Sequence, residues 1–167
     1  MRAKVLASAA ALAMLFCQPA LALDAPTDPV ILTITGAITE TNSDGAAVFD
    51  LPMLQDLPGR TGTMETPWTE GETAFDGPLL RALLEEVGAH GKTLRVTALN
   101  DYSAEVPVSD ATDYETILAL AMNGKPMSVR DKGPLFMVYP FDLNPELYNE
   151  KYFSRSVWQI KAIEVIE

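Results

Sequence analysis

The only cysteine of the 167-residue chain, Cys17, stands at the end of an apolar run near the N-terminus, and the rest of the sequence carries no thiol. No disulfide can form beyond that run, so whatever folds there must be held by a hydrophobic core alone. The material for one is present. Hydrophobic residues make up 48% of the chain and charged ones 21%, too apolar for a disordered polymer and suited to one domain of this length.

The N-terminal run has three parts. Arg2 and Lys4 give a short basic region, residues 5–16 are apolar, and Ala20-Leu21-Ala22 supplies the small-x-small step of a processing site. This predicts a signal peptide over residues 1–22, cleaved after Ala22, and a periplasmic or secreted domain. The apolar run falls short of the ~20 residues that span a bilayer, so no membrane insertion is expected after processing. Bulky Phe16 ahead of Cys17 does not suit lipid attachment. Twelve Lys and Arg against 23 Asp and Glu exclude a nucleic-acid partner, which requires a basic footprint. The excess acidity suits steered association with a basic partner.

Beyond the signal, residues 23–29 read as a flexible Pro/Asp-rich lead, and residues 30–167 as one α+β domain, mostly β. Alternation predicts strands at 30–35, 46–49, 93–98 and 104–108. Asp50 is placed to cap a short helix through Leu57, ended by Pro58-Gly59. Residues 60–68 read as extended. The clearest helix spans 78–87, with Gly77 as N-cap, Pro78 at the first position and Gly88 as the stop. Residues 117–122 lead into Asn123-Gly124, a strong hairpin signal because both residues tolerate positive φ. A continuous apolar strand covers 135–139. The last strand, 156–166, is expected at the edge of the domain, with Trp158 packed inward.

Few constellations carry chemistry. His90 stands in Gly88-Ala89-His90-Gly91 and reads as a turn histidine, since no nucleophile accompanies it. Asp142, Asn144 and Glu146 have the 1-3-5 spacing of a calcium loop, but Leu147 and Phe153 occupy the positions of its glycine and its bidentate glutamate. Gly59-Arg60-Thr61-Gly62 lacks the Lys-Ser/Thr of a phosphate loop. The most site-like segment is Asn100-Asp101-Tyr102-Ser103, a tight polar turn presenting an aromatic with a polar tip.

From Phe75 onward the order of motifs resembles the molybdopterin-binding domain of the sulfite oxidase family. The matching pieces are residues 75–84, which open Phe75-Asp76-Gly77-Pro78-Leu79-Leu80, the turn Asn100-Asp101-Tyr102-Ser103, and residues 117–126, which end Asn123-Gly124-Lys125-Pro126. Residues 133–140, which open Gly133-Pro134-Leu135-Phe136, and 156–165, which contain Trp158-Gln159-Ile160, complete them. The resemblance implies that family's fold, a molybdopterin cofactor and oxidoreductase chemistry. It also implies a cysteine thiolate on molybdenum near residues 63–66, where the chain reads Thr63-Met64-Glu65-Thr66. Phe136 stands where the family often has Arg, and Trp158-Gln159 where it often has Lys-Trp. Arg2-Ala3-Lys4 lacks the arginine pair of the route that exports folded, cofactor-loaded enzymes.

These departures favour a non-catalytic small-ligand or partner-binding module, sensing rather than turning over, with no cofactor. Its expected ligand contacts are Trp68, Asn100, Asp101, Tyr102 and Tyr139, with Arg130 as an anion contact; no catalytic or metal-binding residue is assigned. The alternative is a molybdopterin-dependent oxidoreductase with an oxygen ligand from Glu65, Thr66 or Ser128. A third reading is an accessory protein docking on an exported or membrane partner.

Overall fold

The computed structural model describes residues 23–167; the signal segment and Cys17 lie outside the described residues. Its elements, in chain order, begin with β1 (Leu32–Gly36), β2 (Ala47–Phe49), α1 (Leu51–Asp56), β3 (Gly59–Met64) and β4 (Thr73–Pro78). Then come α2 (Leu80–Glu86), β5 (Thr93–Ala98), β6 (Ser103–Pro107), α3 (Ser109–Thr112) and β7 (Ile117–Ala119). The chain continues through β8 (Ala121–Met122), β9 (Lys125–Pro126), β10 (Phe136–Val138), α4 (Glu150–Arg155) and β11 (Ile160–Ile166).

The strands form a five-stranded sheet ordered β2-β1-β11-β5-β6, a four-stranded sheet ordered β3-β4-β8-β9 and the pair β10-β7. Alternation sets the inner face of the larger sheet. Leu32 and Ile34, Leu94 and Val96, and Ile163 and Val165 are buried, while Arg95, Glu105 and Glu164 join in ion pairs on the other side. Leu80, Leu83 and Leu84 of α2 enter the same hydrophobic cluster. The expected α+β, mostly-β architecture is what the chain adopts.

Three expectations are corrected. The last strand is not at an edge: β11 runs parallel to β1 and antiparallel to β5 in the middle of the sheet. It also begins at Ile160, because Gln159 takes a φ of +54° and breaks the extended run. Helix α2 begins two residues later than predicted, capped at Leu79. Gly77 and Pro78 are instead paired with Arg60 and Gly59 in β4, and a Cβ on Gly77 would overlap the Leu118 carbonyl oxygen of β7. Glycine is required by that close approach, not by a helix cap. The stop is as expected: Gly88 has a φ of +58° immediately after the C-cap Val87.

Residues 23–29 carry hydrogen bonds to the domain. Thr27 and Asp28 donate their backbone N–H groups to Asp50 Oδ2 at 2.7 and 2.9 Å, and Asn42 Nδ2 donates to the Asp24 carbonyl at 2.6 Å. The lead is therefore tied to the start of α1. The third correction is that residues 117–122 form two strands instead of one, because the chain changes sheets at Leu120, whose N–H donates to the Asp76 carbonyl at 2.8 Å. The hairpin at Asn123-Gly124 forms as predicted, with φ of +50° and +73°.

Candidate functional site

A slot of about 300 Å³ opens between the β5–β6 turn, helix α4 and the segment entering β11. Ala98, Ser156 and Val157 are its buried walls, and Trp68, Tyr102, Phe153 and Trp158 are its aromatic ones, with Asn100 and Ser154 completing the lining. Three of the sequence-predicted contacts, Trp68, Asn100 and Tyr102, meet here.

Each is held by local chemistry. Asn100 Oδ1 accepts the Tyr102 N–H at 3.1 Å, and Asp101 between them has a φ of +66°. The tight polar turn thus aims Tyr102 across the slot, where its hydroxyl donates to the Ser154 carbonyl at 3.2 Å. Asp101 itself faces away from the slot lining and pairs with Lys161 Nζ at 2.6 Å. The hydrogen bond from Lys161, and then its charge, hold the Asp101 carboxyl below its ordinary pKa.

Trp68 is the hub of the aromatic walls. Its ring meets Phe136, Phe153 and Trp158 edge-on, with centroids at 5.5, 5.7 and 6.0 Å and interplanar angles of 78°, 81° and 75°. Trp158, expected to pack inward, is 39% exposed: the left-handed Gln159 separates it from β11, and it bridges to Phe136 in the slot wall. Tyr102 is 51% exposed.

Tyr139 and Arg130 do not join them. Tyr139 is completely buried and donates its hydroxyl to Asp110 Oδ2 at 2.7 Å, an oxygen that also receives Arg155 Nη1 at 2.8 Å. Burial, then the hydrogen bond to Asp110, push the Tyr139 phenol far above its ordinary pKa. A polar tip does not imply a ligand when a carboxylate waits inside the core. Arg130 is exposed on a 3₁₀ turn, Val129–Asp131, away from the lining. The cation beside the slot is Lys132, whose Nζ lies 5.9 Å from the centroid of the Trp158 ring. Its left-handed conformation, φ +90°, marks the turn but gives no sequence signal of that contact. Phe153 and Ser154 were equally hidden, because a six-residue helix, Glu150–Arg155, shows too little periodicity to be read.

A larger groove of about 570 Å³ lies elsewhere, between α1 and the β3–β4 sheet. It contains none of the expected contacts, and its one cation, Arg60, is paired with Asp142 and with Glu115 at 3.5 Å.

Comparison with known proteins accounts for the scaffold. Residues 54–167 match the family described as oxidoreductase molybdopterin binding domain, and the chain belongs to that family. Among solved structures, the sulfane dehydrogenase SoxCD from Paracoccus pantotrophus is similar in fold, with a TM-score of 0.60 and 20% identity. The match covers 81% of this chain and 37% of that one, so the chain spans little more than a third of its structural neighbour. Comparison with curated proteins gives no match.

The residues present do not fit the thiolate-bound molybdenum that the family implies. Met64, the sulfur-bearing residue in the expected stretch, is 4% exposed and belongs to the core, and a thioether cannot ionise to a thiolate. Thr66 is 5% exposed, its Oγ1 shared with Thr69 Oγ1 at 2.8 Å and accepting the Trp68 N–H at 3.3 Å. Ser128 donates to Asp131 at 2.7 Å, and Glu65 is exposed. Among the described residues no group of three or more His, Cys, Asp or Glu side chains is placed to hold a metal. No charged side chain lines the slot to receive a phosphate.

Proposed function

We propose that this chain is a non-catalytic member of its family, an exported module that holds a small ligand in the Trp68–Tyr102–Trp158 slot and carries no molybdenum cofactor. The observation that carries the reading is the donor set. Where the family's chemistry calls for a soft anionic sulfur, the chain offers a core methionine and hydroxyls already engaged with neighbours. The slot is formed and aromatic, of the size and character of small-ligand sites.

Export to the periplasm rests on residues 1–22, whose basic, apolar and small-residue parts follow the secretory pattern. Among the described residues no helix is long and apolar enough to cross a membrane. Net charge of −11 supports recognition of the loaded module by a basic exported or membrane-bound partner.

The family match favours a second reading, an oxidoreductase with molybdenum on an oxygen donor. One preparation separates the two. Protein purified from its own host and denatured in air releases no pterin fluorescence under the first reading. A pterin signal equimolar with the chain establishes the second and removes the first.

A further inference from the structure

The slot's walls carry information about what enters it. We propose that its ligand is a neutral ring compound with a hydrogen-bonding substituent, and that both ionic forms of the same ring are rejected; this rests on reading the slot as a small-ligand site.

No wall residue is charged. An ion leaving water for such a site loses its hydration without gaining a counter-ion, a large penalty unless it is paired. Two of the cations nearby are committed, and a third, Lys132, lies outside the lining over the Trp158 ring. Arg155 is bound to Asp110 at 2.8 Å and Lys161 to Asp101 at 2.6 Å. Aromatic walls alone would welcome a cation, since ring faces attract positive charge. Here Trp158 already has the Lys132 ammonium over its ring at 5.9 Å, and a second cation would meet that like charge. An anion meets no carboxylate-binding fork, and the molecule's net charge of −11 opposes its approach.

A flat neutral ring has none of these difficulties. The ring of Trp68 stands 75° from that of Trp158 and 81° from that of Phe153, forming a corner that offers both faces and edges. Asn100 uses its Oδ1 for the turn, and its Nδ2 has no partner among the described residues, leaving a donor for the ligand's polar substituent. The volume of about 300 Å³ admits one substituted ring rather than a polymer.

Three probes sharing one ring test this: 2-phenylethanol, phenylacetate and 2-phenylethylamine, titrated into the natively processed protein at neutral pH. The chain has two tryptophans, so two indole N–H resonances report directly on Trp68 and Trp158. The alcohol is expected to shift both saturably, with each ion binding about tenfold weaker or worse. Trp158→Ala, at a partly exposed position, should weaken the alcohol by about tenfold. Lys132→Met should strengthen the amine by about threefold while leaving the alcohol within about twofold. Tyr102→Ala gives a second variant if Trp158→Ala loses its dispersed spectrum, with the same weakening expected. An ion binding as tightly as the alcohol, no saturable shift from the alcohol, or an unchanged affinity in the folded wall variant would each overturn the proposal. A pterin-free protein that ignores all three probes refutes this ligand class and leaves the cofactor-free reading standing. A pterin-loaded protein refutes that reading whatever the ranking of the probes.

Discussion

Asp50 joins two parts of the chain through one carboxylate. Its Oδ1 accepts the Met53 N–H at 3.0 Å as the N-cap of α1, while Oδ2 takes the N–H groups of Thr27 and Asp28. The hydrogen bond from Met53, followed by that from Asp28, holds its pKa below the ordinary 3.8. A depressed carboxyl pKa means the folded state binds its proton less readily than the unfolded state. The stabilisation is therefore present above pH 3.8 and is lost as pH falls through the lower, folded value. Asp50→Asn should melt below the wild type at pH 7, and the gap should narrow as both are acidified below about pH 4, as thermal melts across pH will show. Tyr139 behaves oppositely. Its raised pKa keeps the phenol neutral in the folded state, so its contribution is complete below the ordinary value of 10 and fades as pH rises above it. Tyr139→Phe should cost about 1 kcal/mol at pH 7 and flatten the alkaline loss of stability, measured by urea unfolding between about pH 8 and 11. These two residues also mark what could be read in advance. Asp50 was legible because its N-cap bond lies three residues away. Tyr139 was not, because its partner Asp110 lies 29 residues earlier and only the fold brings them together.

Elements whose pattern is local were readable, and those defined by pairing were not. β1, β5 and β6 alternate cleanly, and the Asn123-Gly124 turn follows from backbone preference alone. The central place of β11 depends on β1 reaching it from more than a hundred residues away, which no window of sequence contains. The same holds for β4, whose Gly77-Pro78 end imitates a helix start. Its true role is to let β4 pass against β7, so Gly77→Ala forces a methyl group onto the Leu118–Ala119 backbone. That variant should lose about 3 kcal/mol or fail to fold, read by urea unfolding. Helix α4 is tied beneath the slot by the Arg155–Asp110 ion pair and supplies Phe153 and Ser154 to its wall. Asp110→Ala leaves a half-buried guanidinium unpaired and should cost about 3 to 5 kcal/mol. It should also lower the protection of the α4 amides more than those of β5 in hydrogen exchange.

At the scale of the molecule, the family scaffold is present, and the proposal is that it works here without the metal chemistry that a thiolate would support. Membership follows from the match over residues 54–167, and the motif order from Phe75 onward was enough to suggest it from sequence. The slot was half legible. Its turn residues could be placed, whereas the aromatic corner around Trp68 needed three distant segments to converge. The absence of a thiol beyond Cys17 was plain from the first reading, and the geometry adds that neighbouring oxygens are engaged or exposed. Elemental analysis of the natively processed protein is the most direct check. With no thiolate to retain the metal, it should contain about 0.1 molybdenum atoms per chain or fewer. One molybdenum per chain, retained through gel filtration, would contradict the account.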